Sequence, residues 1–347
     1  MKVYLAHTKR EPDKRSRDFA RVLADFLSAR GISVTFDEFS FRPGHSLAEE
    51  MFEAIHSANK FILLATPNTL ESEYVRAELQ QARQRAIELN PKPFIHVISL
   101  ARTRSLDYLP KDLRAFLCHI ANGKSMNRLL YEVFFGLYAL PLGKLLAAQL
   151  KYSRKSDVVM LERYQVLEVV SDNGDANFIT ERAIQNLDAS AMTHTNQMNF
   201  WAYGKTSLSR PRIRAWLDTG EELKDKEITR RNLRGNDTFT VRFKFPKPVA
   251  PDEVVRFRTA RFYPKAFDLD VGDNYTLGCD DRGYGLLRVD IVFPRGFKAK
   301  APTVIKESNG KARPLGRMNE LGSEKFAFST LKAQPGDKFL FALKARS

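Results

Sequence analysis

A glutamate and a tyrosine one helical turn apart are the residues of this sequence best placed to do chemistry. Glu78 lies in the segment Ser72–Leu79, and Tyr74 precedes it by four positions, so both side chains share one face of a predicted helix. A carboxylate stabilises positive charge that develops beside it, and an aromatic ring stacks on a base. Taken alone, however, a glutamate in such a helix is usually a solvated surface residue, and a tyrosine is usually a residue that packs against the protein interior.

The elements around this pair predict a parallel sheet. Short apolar runs alternate with amphipathic helical patterns over residues 1–140, which is typical of βαβ units with helices on both faces of the sheet. Ligands of such sheets bind beyond the carboxyl ends of the strands, near the reversal of strand order. The predicted strands are 3–7, 32–36, 61–66, 94–100 and 118–122, and the predicted helices are 16–30, 47–58, 72–89, 111–117 and 126–140.

A second segment makes the pattern more specific. Val34–Leu47 stands upstream of Ser72–Leu79 and contains Asp37 and the turn Arg42-Pro43-Gly44. In this order and spacing the two segments resemble a TIR domain of the bacterial NAD-cleaving type, over residues 1–140 only. The resemblance implies an α/β flavodoxin-like fold. The sequence departs from the family's usual pattern at Tyr74, His7 and His45, where Trp, Tyr and an acidic residue are common.

The resemblance also implies a site. Glu78 falls where NAD-cleaving members carry their catalytic glutamate, and the substrate-binding candidates are Tyr74, His7, Thr8, Arg10, Asp37, Arg42 and Ser72. Asp37 could instead bond loop backbone at a strand end, and His7 could simply pack. Cleavage of NAD+ passes through an oxocarbenium-like centre, and nicotinamide is already a cationic leaving group, so one carboxylate suffices. NAD+ is thus a substrate, and no cofactor and no metal are expected.

The function this implies is an NAD+ nucleosidase, a hydrolase that releases nicotinamide and either ADP-ribose or a cyclic ADP-ribose isomer. We expect a homo-oligomer that self-association activates, with a signalling role in prokaryotic anti-phage defence. The alternative is a non-catalytic TIR scaffold or adaptor, or an immune-subverting effector, that acts through homotypic TIR contacts.

Cysteine usage and hydropathy bear on the compartment. Cys118 and Cys279 are the only cysteines, which argues against a disulfide framework and fits a reducing cytoplasm. The N-terminus enters a strand directly, without an apolar signal segment. The apolar stretch Leu129–Leu150 carries Glu132 and is broken near Pro141, so we expect a buried helix and no membrane span.

The rest of the chain differs in character. Residues 141–157 are predicted to be a partly helical connector, and 158–347 a β-rich sensor or interaction domain with an antiparallel sandwich- or barrel-like fold. No family is identified for it. Its predicted strands are 158–170, 177–184, 211–217, 239–245, 254–263, 286–293 and 338–343.

The net charge of +15 favours polyanionic partners. In Phe239–Phe245 and Arg256–Tyr263, aromatic residues interleave with arginine and lysine, so the C-terminal domain could bind an activating ligand or nucleic acid. The same alternation on a strand equally gives one core face and one solvated basic face.

Overall fold

The computed structural model divides the chain into two units, Met1–Leu142 and Gly143–Ser347. The division falls inside the predicted connector 141–157, most of which lies outside the described residues. The structure describes residues 1–8, 14–36, 46–89, 93–101, 103, 105–140, 145, 149, 158–195, 198–201, 213–233, 236–269, 272–279 and 283–343.

The first unit contains a five-stranded parallel sheet in the order β2-β1-β3-β4-β5. Strand β1 pairs in parallel with β2 on one side and with β3 on the other, so the direction of winding reverses at β1. This is the predicted flavodoxin-like arrangement, and all five predicted strands are confirmed. The strands are β1 (Lys2–Ala6), β2 (Ser33–Thr35), β3 (Lys60–Ala65), β4 (Ile95–Ser99) and β5 (Leu117–Ile120).

Helices connect these strands, as predicted, and their ends follow local chemistry. The last helix stops at Leu137 rather than at 140, because Ala139 adopts a left-handed conformation with φ of 54°. Among the described residues, no helix combines the length and hydropathy that a membrane span requires. The helices are α1 (Lys14–Ser28), α2 (Leu47–Ser57), α3 (Glu73–Glu88), α4 (Lys111–Arg114) and α5 (Met126–Leu137).

The central strands of this sheet are buried on both faces. Every residue of β4 is buried, and so are Phe61–Ala65 of β3, which explains why these strands read as continuous apolar runs. The polar residues of β4 are His96 and Ser99, and both are buried. His96 packs inside the strand, as the sequence predicts.

The second unit is rich in strands, as predicted, and its pairing is mostly antiparallel. The exception is β15, which pairs with β6 in parallel. The three sheets have the orders β10-β13-β7-β6-β15-β19-β18, β11-β12-β8 with β9 also on β12, and β14-β20-β16-β17. Each of these paths ends in edge strands over the described residues, so none of them closes into the barrel that was one of the two predicted alternatives.

The sequence pattern identifies seven of the strands in this unit and misses the others. Among the missed strands, β8 and β18 are very short, and β17 is exposed throughout and carries Pro314, so neither alternation nor apolar character marks them. The strands are β6 (Val158–Val169), β7 (Ala176–Asn186), β8 (Met192–His194), β9 (Met198–Trp201), β10 (Ile213–Leu217), β11 (Lys226–Leu233), β12 (Asn236–Val249), β13 (Val254–Tyr263), β14 (Asp273–Gly278), β15 (Tyr284–Val292), β16 (Thr303–Ser308), β17 (Lys311–Arg317), β18 (Asn319–Glu320), β19 (Lys325–Ala333) and β20 (Lys338–Leu343).

Burial of His96 predicts acid sensitivity of the first unit. Burial lowers the pKa of His96 to about 4, and the charges of Lys60 and His119 act in the same direction. An unfolded histidine titrates near pH 6.5, so the unfolded chain binds a proton that the folded chain excludes. The resulting stabilisation is complete above about pH 6.5 and is lost as the pH falls toward about 4, by at most about 1.4 kcal/mol per pH unit. The free energy of unfolding, measured with denaturant at pH 7, 6 and 5, should therefore depend less steeply on pH for His96→Gln than for the wild type.

A matched comparison is His56→Gln, which removes a partly exposed histidine of the same unit. Glu132 does not interfere in this range. Burial raises the pKa of Glu132, but hydrogen bonds from His119, Lys124 and Arg128 outweigh burial and bring it to about 2, so its contribution is lost only below about pH 4.5. Equal slopes for wild type and His96→Gln would contradict the assignment.

Candidate active site

The carboxyl edge of the parallel sheet carries the polar groups that the sequence predicts there. Strand order reverses at β1. In parallel α/β sheets, ligands bind in a crevice beyond the strand ends beside such a reversal. His7 and Thr8 follow β1, and Thr66 follows β3, and all three are buried. Buried polar groups at this edge are candidates for binding because the architecture places ligands here.

A turn after β3 sets the direction of helix α3. The backbone N–H of Thr66 donates to the Thr69 hydroxyl at 2.8 Å, and the two hydroxyl oxygens lie 2.9 Å apart. The Thr69 hydroxyl also donates to the carbonyl of Leu64 at 3.3 Å, which ties the turn back to the strand. These bonds satisfy the polar groups of a buried turn and start the next helix beside the crevice.

Ser72 is the N-cap residue, immediately before that helix. Its hydroxyl oxygen accepts a hydrogen bond from the backbone N–H of Val75 at 3.4 Å. A serine cap satisfies one of the donors left open at a helix N-terminus. The structure thus gives Ser72 a local role in the helix, and its contact with substrate stays a prediction.

Glu78 is not a solvated surface residue. Its side chain is only 2% exposed, and its Oε1 atom accepts a hydrogen bond from the hydroxyl of Tyr4 at 2.6 Å. Tyr4 is fully buried in β1, and its ring stacks on Phe61 with centroids 5.7 Å apart and planes 3° from parallel. The distance is that of a short O–H···O hydrogen bond. The sheet therefore holds this carboxylate through a rigid donor.

Tyr74 and His7 lie close to this arrangement in the fold. Tyr74 shares a face of α3 with Glu78, and it is partly buried against the core that includes Val75 and Leu79. The Nδ1 atom of His7 lies 3.2 Å from the carbonyl oxygen of Thr8, and its ring lies 6.1 Å from that of Phe36, the residue after β2. These contacts are compatible both with packing and with lining a site.

Three predicted contacts lie outside the described residues. Arg10, Asp37 and Arg42 were expected to contact substrate, and their roles stay predictions. The described part of the site thus consists of His7, Thr8, Ser72, Tyr74 and Glu78. Of these, Tyr74 and Glu78 share a helix face, and His7 and Thr8 end the strand that carries Tyr4.

The sequence interpretation missed two tyrosines at this edge. Tyr4 was treated only as a strand residue, although a tyrosine in a buried strand needs a partner for its hydroxyl, and that requirement was the available signal. Tyr108 was not singled out either. Its hydroxyl lies 2.6 Å from that of Ser99, the last residue of β4, and donates to the carbonyl of Ala65 at 3.4 Å. Burial raises the pKa of Tyr108, and this effect outweighs the hydrogen bond from Ser99, which lowers the pKa.

The basic strands of the second unit do not share one pattern. In β12 the aromatics Phe239, Phe243 and Phe245 are buried while the basic residues between them are at least partly exposed, as expected of one core face and one solvated face. In β13 the order is different, because Phe262 is 49% exposed and Arg261 is buried with its guanidinium 4.0 Å from the Tyr263 ring centroid. The alternation of aromatic and basic residues therefore predicts which side chains are buried in β12, but it does not do so in β13.

The geometry at the first unit suits stabilisation of a cation. A carboxylate fixed in a buried crevice acts strongly on a charge that develops beside it, because the surroundings are less polar than water. Within the described residues, no group of three or more His, Cys, Asp or Glu side chains is arranged to hold a metal ion.

Comparison with known proteins agrees with this fold. The family model described as "TIR domain" matches residues 3–129. The chain is 30% identical over 121 residues to "Probable 2' cyclic ADP-D-ribose synthase BdTIR" of Brachypodium distachyon. The aligned region covers 33% of this chain and 54% of that protein. It is also 30% identical over 99 residues to "Stimulator of interferon genes protein" of Magallana gigas, covering 28% of this chain and 23% of that protein.

Among solved structures, a metazoan TIR-STING receptor from C. gigas in complex with 2',3'-cGAMP aligns with a TM-score of 0.29 at 15% identity, covering 54% of this chain and 69% of that one. The chain spans about half of the length of the Brachypodium relative and about a quarter of that of the Magallana relative.

The cap geometry predicts the response to changes at Ser72. Ser72→Ala should lower the free energy of unfolding by about 1 kcal/mol, whereas Ser72→Asp should retain most of it, because aspartate also caps well. Denaturant unfolding of both variants measures the difference. Ser125 caps α5 in the same way, so Ser125→Ala should lose a similar amount. Equal losses in Ser72→Ala and Ser72→Asp would show that the cap is not what Ser72 contributes.

Proposed function

We propose, from the premise that residues 3–129 are a TIR domain, that this domain is an NAD+ nucleosidase whose catalytic carboxylate is Glu78. The observation that carries the proposal is a buried glutamate at the reversal point of the sheet, fixed by the Tyr4 hydroxyl at 2.6 Å. The similarity to a relative described as a cyclic ADP-ribose synthase supports this class of activity.

The proposed reaction breaks the bond between C1 of the nicotinamide ribose and the ring nitrogen of nicotinamide. The bonding electrons leave with nicotinamide, which departs neutral, and the ribose becomes an oxocarbenium-like cation. The Glu78 carboxylate binds the ribose hydroxyls and stabilises that charge. Attack by water, which loses a proton, gives ADP-ribose, and attack by a hydroxyl or ring nitrogen of the same molecule gives a cyclic isomer.

The remaining candidates would position the substrate. We assign Tyr74 to stacking on a base or on nicotinamide, because an aromatic ring one turn before the carboxylate reaches the same crevice. Arg10 and Arg42 would contact the pyrophosphate through bidentate hydrogen bonds. Contacts from His7, Thr8, Asp37 and Ser72 complete the proposal. NAD+ is the substrate in this scheme, and no cofactor is proposed.

Burial of the carboxylate supports a gated enzyme. Glu78 is only 2% exposed, so NAD+ reaches it only when groups around it move. Self-association is the proposed trigger, since contacts between TIR domains can favour the conformation that admits substrate. The proposed setting is cytoplasmic prokaryotic anti-phage defence, with the second unit as the sensor of the activating signal.

The second candidate is a non-catalytic scaffold or an effector that acts through homotypic TIR contacts. It treats the bond between Tyr4 and Glu78 as a purely structural link between β1 and α3. The two candidates differ in what removal of the negative charge does. A scaffold keeps its biological activity when Glu78 becomes glutamine, because glutamine can still accept a hydrogen bond from Tyr4.

Turnover of NAD+ by the full chain tests the proposal. Glu78→Gln should reduce turnover at least about 100-fold, because it removes the charge that stabilises the cation and changes little volume. Chromatography that separates ADP-ribose from its cyclic isomers identifies the product. The matched control is Glu73→Gln on the same helix, where the side chain is 89% exposed, and it should turn over NAD+ like the wild type.

The assay is run over a wide range of protein concentrations, with the oligomeric state measured at each. Specific activity that rises with association supports gating by assembly, and constant specific activity argues against it. If neither the wild type nor Glu73→Gln turns over NAD+ at any concentration, and Glu78→Gln retains biological activity, the scaffold is the better description.

A nucleic-acid ligand of the second unit is testable separately. Binding through phosphates should weaken at least about tenfold between roughly 50 and 200 mM salt, because bound counterions are released when basic side chains neutralise phosphates. Fluorescence anisotropy with a labelled oligonucleotide measures this. Binding that is independent of salt, or absent at 50 mM, would rule out a phosphate-dominated contact and direct the search to small activating ligands.

A further inference from the structure

We infer that Tyr4 is a positioning residue for the Glu78 carboxylate, an inference that rests on the proposed function of Glu78. The Tyr4 hydroxyl donates to Oε1 of Glu78 at 2.6 Å, across 74 positions of the sequence. The bond joins β1, an interior strand of the sheet, to the helix that carries the carboxylate. The pairing cannot be read from spacing along the chain, and it arises only where β1 and α3 come together.

The donor is held from several sides. Tyr4 pairs with Thr35 of β2 and with Phe61 of β3, so its backbone is fixed between two parallel neighbours. Its ring is fully buried and lies parallel to the Phe61 ring. A phenol held in this way presents its hydroxyl in one direction, and the donor does not have to be ordered when substrate binds.

The acceptor needs such a donor. A glutamate side chain has three rotatable bonds and loses considerable conformational freedom when it is fixed. Catalysis by charge stabilisation requires the carboxylate to lie where the positive charge develops, and displacements of about 1 Å cost about 100-fold in rate. A short hydrogen bond to Oε1 selects one orientation of the carboxylate. Tyr4 would thus act on the reaction through Glu78, without touching the substrate.

A simpler role for the bond is structural, as a link that holds α3 to the sheet. The two roles predict different measurements. A structural link affects the free energy of unfolding but not the turnover of the molecules that remain folded. A positioning residue changes kcat, and it leaves KM nearly unchanged because the contacts that bind substrate are intact.

The test compares Tyr4→Phe with Tyr131→Phe in the full chain. Tyr131 is also fully buried in the first unit, and its hydroxyl accepts a hydrogen bond from Arg30 at 3.0 Å, so each variant deletes one bonded hydroxyl from a buried ring. Initial rates of NAD+ cleavage give kcat and KM per folded molecule, with the folded fraction taken from circular dichroism. Tyr4→Phe should lower kcat about 10- to 100-fold with KM within about twofold, and Tyr131→Phe should change kcat less than about twofold.

A second comparison uses the Glu78→Gln background. There Tyr4→Phe should cause no further loss of residual turnover, because the carboxylate that it positions is gone and the two effects are not additive. If Tyr4→Phe does not fold, fluorotyrosine incorporated at position 4 keeps the shape of the ring and alters the acidity of the hydroxyl. A changed kcat with this residue supports the inference, and an unchanged kcat overturns it.

The outcomes separate the inference from the proposed function. Wild-type turnover that Glu78→Gln abolishes but Tyr4→Phe leaves intact would overturn the inference alone. Similar losses of kcat in Tyr4→Phe and Tyr131→Phe would also overturn it, since the effect would then be general destabilisation. A wild type without turnover under any condition would overturn the proposed function and the inference with it.

Discussion

A carboxylate that leaves water needs a hydrogen-bond donor, and this requirement organises the first unit around one contact. Glu78 is buried, and the Tyr4 hydroxyl meets that need at 2.6 Å. The contact can form only if β1 is an interior strand of the sheet and α3 lies within reach of the Tyr4 hydroxyl. Parallel winding with a reversal at β1 provides the first condition, and the threonine turn after β3 provides the second. The local elements therefore converge on the position of one side chain.

In the proposed function, burial of Glu78 affects both charge stabilisation and access. A carboxylate in surroundings less polar than water interacts strongly with a positive charge that develops next to it, which is what the proposed reaction requires. The same burial denies access, so an enzyme built in this way requires a change of conformation before it can act. In the proposed function, this link between charge stabilisation and access is the physical reason for control by self-association. A surface glutamate would offer neither property.

The second unit follows different rules of burial. Its strands pair mostly antiparallel, and in β12 aromatic residues face the core while polar residues face outward. Strand β13 departs from this pattern, because Arg261 is buried, burial lowers the pKa of its guanidinium, and it lies over the ring of Tyr263. A buried arginine on an aromatic ring keeps its charge near a π face that partly compensates for lost hydration. Net basic charge thus says little about which arginines meet solvent.

Periodicity and turn chemistry in the sequence determined the parallel sheet, its helices and the position of Glu78, because these depend on neighbours along the chain. Apolar runs such as Phe61–Ala65 are typical of strands buried on both faces, and Ser72 marks the start of α3 by its capping preference. Exposed or very short strands such as β17 and β18 carry no such signal, and pairing with distant strands alone defines them. The partner of Glu78 was decided only by tertiary structure. Tyr4 is 74 positions away, and nothing in local spacing encodes a contact that parallel winding creates.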